Sequence, residues 1–248
     1  IYMLLRSTVL RFADSQSSVA SPLLQRIFET LQSLGLYAQM LFMPTGLHME
    51  RTLNGVSPLY ALAGGLFLLV LAAVSLLAWR SGHKRITAGY CWFIAAWLPI
   101  SGIFPLNAPL AEHWMYVPMA GFWWASLEII WLAANRNNVA IKVATVAILM
   151  LCILFTVMTA QRNQDWNDNE TLFCATLREN PNTARVHYNL AVTYENIKRN
   201  YAGARRHYEQ YLELRTRERI ESGAEPGTFT GDDVEVRLSL GRVLLNAG

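Results

Sequence analysis

Long apolar stretches constrain this chain more than any other feature of its sequence. Four of them, at 59–79, 86–104, 117–134 and 141–160, each run about 20 residues, the length a helix needs to cross a bilayer core. They stop at residue 160, and the remainder is polar and helically patterned. Composition agrees: 53% of residues are hydrophobic and 16% charged, well below the roughly one quarter charged in soluble domains. The expected fold class is all-α, a helical integral membrane bundle of about four transmembrane helices with a second helical region after it. The expected domains are 1–57, 58–161 and 162–248.

The net charge of +3 is small and the basic residues are interleaved with acids, so no nucleic-acid partner is expected. Cys91 and Cys152 lie inside apolar stretches and Cys174 stands alone, which makes neither a disulfide framework nor a zinc site. The opening Ile1-Tyr2-Met3-Leu4-Leu5-Arg6 has no signal-peptide layout. Residues 1–12 read as the tail of an upstream span and 13–21 as a polar linker, so a fragment or a processed chain is expected. From Pro22 to Met43, apolar positions recur at helical spacing among too many polar ones to cross a bilayer. An interfacial amphipathic helix is expected there, ended by Pro44 and Gly46.

Short loops set the orientation. Arg80, Lys84 and Arg85 occupy one connection and Arg136 and Lys142 another, while residues 104–116 carry no Lys or Arg. The positive-inside rule puts the two basic turns in the cytoplasm and both terminal segments on the opposite, periplasmic side of a bacterial inner membrane. Arg51 and Arg162 run against that bias. Trp114, Tyr116, Trp123, Trp124 and Trp131 read as anchors near the membrane boundaries.

Beyond the last apolar stretch, Asp168 or Asn169 is a fitting N-cap for a helix over 170–180, and Pro181 separates that helix from the next segment. Asn189, Leu190, Ala191 and Tyr194 then match the first-helix pattern N-L-G-x-x-Y of a tetratricopeptide (TPR) repeat. Ala204, Tyr208 and Tyr211 match its second helix if one residue is added in the turn 197–201. His187 stands where Trp is common. Leu240, Gly241 and Leu244 repeat the first-helix signature after a loop insertion at 221–231. A TPR-like α-solenoid that binds a protein partner is expected, with a generic helical hairpin as the plainer alternative.

Two polar clusters fall on the same expected side of the membrane. Leu47-His48-Met49-Glu50-Arg51 comes after the interfacial helix, and Asn107 to Tyr116 lies between the second and third spans. Glu112 and His113 are placed to orient a sugar or accept a proton, and Arg51 to pair with a lipid phosphate. In the structural alternative, Glu112 bonds a helix N-terminus and Arg51 pairs with Glu50 or Glu112. His48, Glu50, Glu112 and His113 lack metal-ligand spacing, so no metal is expected. Glu128 lies inside the third span, where an ionisable group is costly and a functional role is the default. Burial beside a hydrogen-bonding partner, or protonation, is the alternative, and no Lys or Arg deep in another span offers itself.

The run 97–122, Trp-Leu-Pro-Ile-Ser-Gly-Ile-Phe-Pro-Leu-Asn-Ala-Pro-Leu-Ala-Glu-His-Trp-Met-Tyr-Val-Pro-Met-Ala-Gly-Phe, resembles the late-span loop of transmembrane-and-TPR O-mannosyltransferases and their bacterial TPR relatives. There an A-E-R-x-x-Y-x-P-like motif precedes a span. The stretch 39–48 is similar to the family's Y-L-x-L-L-x-P-x-x-L segment, and 162–181 with Asp165-Trp166 to its join between last span and first repeat. The resemblance covers most of 36–215. It implies a GT-C type glycosyltransferase that takes sugar from a polyprenyl-phosphate donor on the outer or luminal face. By position, Glu112 and His113 match the A-E-R pair and Tyr116 its tyrosine, with His113 departing from arginine. Glu50, Arg51, Glu112, His113 and Tyr116 are thus the candidate substrate-binding residues. The family's catalytic acid sits in a first external loop that this chain does not carry, so no catalytic residue is assigned. The polyprenyl-phosphate sugar is the only donor or cofactor implied.

The expectation is therefore a membrane-anchored TPR protein derived from the C-terminal half of such an enzyme, with its repeats holding a protein partner or acceptor. The alternative is a non-catalytic scaffold or accessory subunit docked on other membrane subunits. A transporter fragment has only Glu128 in its favour, with no inverted repeat or broken span.

Overall fold

Pro22 fixes the backbone entry to the first helix, α1 (Leu23–Phe42), which Met43 closes ahead of Pro44. The computed structural model describes residues 22–53, 55–103, 110–135, 137–221, 223 and 230–247. The expected upstream-span tail at 1–12, the linker at 13–21, Asn107, Arg136 and most of the 221–231 loop lie outside those residues. The chain divides into two units, one of Ile1–Thr45 with Arg51–Thr145, the other of Gly46–Glu50 with Val146–Gly248. The described residues carry helices and one isolated antiparallel bridge, Arg51 to Leu110. The all-α reading holds.

In the first unit, α1 packs across the start of α2 (Leu59–Arg80). The crossing is set by two glycines. A Cβ at Gly35 would lie 2.0 Å from the Tyr60 carbonyl oxygen, and one at Gly64 would lie 2.0 Å from the Leu31 carbonyl oxygen. Only hydrogen at both positions lets the backbones come that close. Several polar residues of α1, among them Thr30, Gln32 and Ser33, are buried against protein. Gln32 donates to the Val56 carbonyl at 2.8 Å, and Ser33 to the Thr30 carbonyl at 2.8 Å.

The tight turn after α2 uses Gly82 at φ 80° and leads into α3 (Lys84–Trp97), which returns antiparallel: Thr87 donates to the Ser75 carbonyl and Phe93 packs on Phe67. Here the sequence reading needs correction. The stretch 86–104 is not one long helix, because Pro99 cannot supply the amide that would continue it. The α-helix covers 14 residues and passes into a 3₁₀ turn, Leu98–Ile100. Together they rise about 27 Å, close to the hydrocarbon core of about 30 Å, so the antiparallel return still carries the chain from one end of the bundle to the other. Among the described residues, three helical stretches are long and apolar enough to cross a membrane: Leu59–Arg80, Glu112–Ala134 and Asn138–Trp166.

Helix α4 (Tyr116–Ala134) runs antiparallel to α3. A second glycine pair brings them together: a Cβ at Gly89 would lie 2.8 Å from the Gly121 oxygen, and one at Gly121 would lie 2.5 Å from the Gly89 oxygen. Phe122 sits at the centre of the packed core, with Phe42, Phe67, Tyr90 and Phe93 around it at centroid distances of 5.7–6.0 Å. Trp123 and Trp124, expected at a membrane boundary, lie near the middle of α4; Trp123 packs on Phe122 and Phe42. Helix α5 (Asn138–Asn163) comes next, with none of its residues buried by protein.

The second unit begins its polar part where Arg162 and Arg178 both reach Asp165, at 3.2 and 3.6 Å. Asp168 caps α6 (Asn169–Glu179), accepting from the Thr171 amide at 2.8 Å while the Thr171 hydroxyl accepts from the Asp168 amide. Those bonds hold the Asp168 carboxyl below its ordinary range. Helix α7 (Ala184–Thr193) passes directly into a π-helical turn, Tyr194–Lys198, closed by Arg199 in the left-handed region at φ 50°. A π turn is how a helix absorbs one extra residue, and it accommodates the addition that the TPR pattern needs. Helix α8 (Tyr201–Glu221) packs back on α7, and α9 (Gly231–Ala247) packs on α8.

Candidate functional site

Glu112 stands at the head of a 3₁₀ turn, Glu112–Met115, that feeds α4, so its charge lies where a helix N-terminus favours an anion. Arg51 crosses from the segment before α2, bridges to Leu110 through the backbone, and donates from Nε to Glu112 Oε1 at 3.1 Å. The two side chains are 13% and 23% exposed, so the pair is screened from bulk water but still reachable. Beneath it, the buried Tyr37 hydroxyl donates to the Ala111 carbonyl at 3.0 Å and accepts from the Ala111 amide at 3.1 Å. Burial pushes this phenol up to about 12, and its bond to Ala111 only partly offsets that. The peptide just before Glu112 is thus gripped at both polar atoms, leaving the carboxylate little freedom to move.

His113 and Tyr116, the other candidates beside Glu112, face outward and are exposed; the His113 ring meets Trp114 edge-on. The arrangement is a fixed carboxylate–guanidinium pair with an exposed imidazole and phenol alongside. Such a set can hold a hydroxylated or phosphorylated headgroup and shuttle a proton. Glu50 belongs to the other unit. It lies 3.7 Å from Arg185, its carbonyl accepts from Asn180, and its neighbour Met49 packs with Phe173, Val186 and Leu190. The sequence grouped Glu50 with Arg51 because they are adjacent; the backbone sends them to different neighbours. Among the described residues no three His, Cys, Asp or Glu side chains converge as metal ligands would.

Glu128 has a cationic partner, Arg85, which reaches it from the start of α3 at 3.6 Å. That cation does not lie deep in another span. The antiparallel return of α3 carries the basic turn alongside the last turns of α4.

In the TPR-like unit, Leu190, Ala191, Ala204 and Tyr208 are buried, and Tyr194 and Leu240 are partly buried in the same cores. Ala191 and Ala204 sit in one buried core with Tyr208 and Tyr211. Gly241 has open space beyond it, with no atom within 4 Å of a Cβ built there. Glu195 ties the helices together, accepting from the Tyr208 hydroxyl at 2.7 Å and from Arg242 at 2.5 Å. Those two bonds hold its carboxyl below the ordinary range although burial pulls the other way.

Sequence reasoning missed Tyr37, counted only as an apolar position of α1. Its partner is 74 residues away, and no local pattern could have named it. It also missed the pairing of His187 with His207.

No family model matches the chain, and no solved structure matches it. Curated proteins do. A mouse protein named protein O-mannosyl-transferase TMTC3 is 26% identical over 247 residues, 95% of this chain and 25% of its own length. The chain is similar to the TMTC proteins. The human protein O-mannosyl-transferases TMTC1 and TMTC4 are 28% and 27% identical, over 64% and 79% of this chain and 18% and 28% of their own lengths. The chain therefore spans between 15% and 28% of the length of the curated relatives it matches. The resemblance to transmembrane-and-TPR O-mannosyltransferases stands, and with it the reading of an integral membrane protein with TPR-like helices.

Proposed function

We propose that this chain is the membrane-anchored, TPR-bearing region of a protein glycosyltransferase that uses a polyprenyl-phosphate sugar. Its TPR-like helices hold the protein acceptor, or a partner that delivers it. The Arg51–Glu112 pair, with His113 and Tyr116, lies on the extracytoplasmic side, the periplasm or the lumen, and meets the donor headgroup there. The basic residues Arg80, Lys84 and Arg85, at the opposite ends of α2 and α3, lie on the cytoplasmic side. Both terminal segments then face away from the cytoplasm.

One observation carries the reading. The 247 matched residues take in membrane helices and TPR-like helices together, so the similarity is not that of a TPR alone. Arg51 and Glu112, in separate polar segments, also meet at one end of the bundle.

The test uses the full-length protein in nanodiscs with a polyprenyl-phosphate mannose donor and a folded acceptor protein. Glu112→Ala is expected to lower transfer by about 10²-fold, the scale of losing one positioned polar group, with the helical content intact. Unchanged transfer by the Glu112→Ala protein would remove Glu112 from the donor site, and no transfer by the wild type, with a stoichiometric protein co-purifying, would overturn the enzymatic reading in favour of a membrane scaffold.

A further inference from the structure

Between α2 and α3 the chain reverses through a closed turn that carries charge the protein does not balance. Gly82, in the left-handed region, lets the His83 amide reach back to the Ala78 carbonyl at 2.8 Å, the bond that commonly closes a helix C-terminus. Arg80 is the last residue of α2, and Lys84 and Arg85 open α3 after His83. All four side chains are exposed. The sequence holds no Asp or Glu between Glu50 and Glu112, so a counter-charge has to come from another part of the fold. Glu128 of α4 supplies one, to Arg85 at 3.6 Å. Arg80 and Lys84 form no ion pair among the described residues.

Cations in open water need no partner, but these lie where a membrane helix ends. Helix α2 is long and apolar enough to cross a bilayer, and its last two turns expose Leu76, Leu77 and Trp79 beside Arg80. Hydrocarbon covers the two leucines, and Trp79 falls where amphipathic rings settle between hydrocarbon and headgroups. Lys84 lies over that ring with its Nζ 5.8 Å from the centroid, which holds the ammonium at the membrane edge of the turn. The methylene stems of Arg80 and Lys84 can follow the apolar surface while their charged ends stay among the headgroups. That layer is filled with phosphodiesters, and among the described residues no carboxylate engages Arg80 or Lys84 in their place. A zwitterionic headgroup brings its own ammonium, which offsets the attraction; an anionic headgroup does not.

We infer that the α2–α3 turn seats the headgroup of an anionic phospholipid, its phosphate held by Arg80 and Lys84 and its acyl chains against Leu76, Leu77 and Trp79. The inference rests on α2 crossing the membrane. It is independent of glycosyl transfer and of which side of the membrane the turn faces. Each Lys or Arg near a membrane surface strengthens the attraction to anionic lipid by about fivefold. Two such cations give about 25-fold, and screening of exposed side chains by salt lowers the expected preference over zwitterionic lipid to about tenfold. Arg85 adds less, because Glu128 already engages it.

The experiment places the full chain in phosphatidylcholine nanodiscs that carry a rising fraction of dibrominated lipid, either phosphatidylglycerol or phosphatidylcholine. Bromine quenches tryptophan fluorescence on contact, and the difference between the wild type and Trp79→Phe isolates Trp79. Half-quenching of Trp79 is expected at about a tenfold lower fraction of the brominated phosphatidylglycerol. The double variant Arg80→Gln with Lys84→Gln is expected to bring the two lipids within about twofold of each other. Equal quenching by both lipids in the wild type, or a preference kept in the double variant, would overturn the inference. Should the double variant insert wrongly, salt decides on the wild type: the preference should collapse at 1 M, where charges are screened beyond about 3 Å, and its persistence there would refute a headgroup held by charge. Release of the brominated phosphatidylglycerol by inorganic phosphate would replace the lipid with a soluble anion as the occupant. Quenching of Trp79 by neither lipid would put this end of α2 outside the bilayer and remove the membrane crossing on which the inference rests.

Discussion

Replacing Gly64 by Ala adds one methyl group at a position where there is no room for it. The new Cβ would lie 2.0 Å from the Leu31 carbonyl oxygen and 2.9 Å from the Gly35 amide nitrogen. A carbon and an oxygen in ordinary contact stay about 3.2 Å apart, so α1 and α2 must separate by roughly 1 Å, which forfeits a quarter to a half of each dispersion contact at the crossing. Overpacking of this kind costs about 1–3 kcal/mol. The damage also travels. Tyr37 is two residues beyond Gly35 on α1, and its bonds to Ala111 at 3.0 and 3.1 Å do not survive a displacement of that size. Stranding the buried Ala111 peptide adds about 1–3 kcal/mol. The better helix propensity of Ala returns about 1 kcal/mol. The net expectation is a loss of about 1–5 kcal/mol, together with a loosened Glu112.

The neighbouring glycine provides the control. A Cβ at Gly65 meets nothing within 4 Å, so Gly65→Ala should leave stability unchanged or raise it by up to about 1 kcal/mol. Both variants are one methyl larger and equally apolar, so a difference between them can only come from the crossing. Denaturant titrations of the detergent-solubilised proteins, followed by circular dichroism, measure it. If Gly64→Ala proves as stable as Gly65→Ala, the close α1–α2 approach and the resulting grip on Ala111 are wrong.

Two further predictions concern the site. In a double-mutant cycle on Arg51→Gln and Glu112→Gln, each single change should cost about 1–3 kcal/mol by leaving a half-buried charge without its partner; a coupling energy near zero would show that the two groups act separately. Tyr37 should make the first unit alkali-sensitive in a defined way. Its folded value, about 12, lies above the ordinary 10.0, so its contribution is intact below pH 10 and is lost as pH rises from 10 toward 12. Tyr37→Phe should be less stable at pH 8 and flatter over that alkaline range, and a parallel pH dependence in the two proteins would contradict the assignment.

Three helices long and apolar enough to cross a membrane are legible in the residues alone. Hydropathy is a property of each residue and its near neighbours, so the stretches from 59, 117 and 141 announced their helices without reference to the rest of the fold. The same holds for the cap at Asp168 and for the small and aromatic positions Leu190, Ala191, Tyr194, Ala204 and Tyr208, whose spacing reflects the helical repeat. The stretch 86–104 misled because apolar content says nothing of the missing amide at Pro99, which stops the helix early. The partnerships, by contrast, exist only in the folded chain. Arg51 finds Glu112 across 61 residues, and Tyr37 finds Ala111 across 74. Glu50 leaves its sequence neighbour for Arg185, and Glu128 gains Arg85 only because α3 turns back along α4. Within the first unit, such contacts depend on how closely two helices can approach, and that distance is set at Gly35 with Gly64 and at Gly89 with Gly121. A glycine in a sequence shows that close approach is possible; only the packed structure shows which backbone comes to meet it.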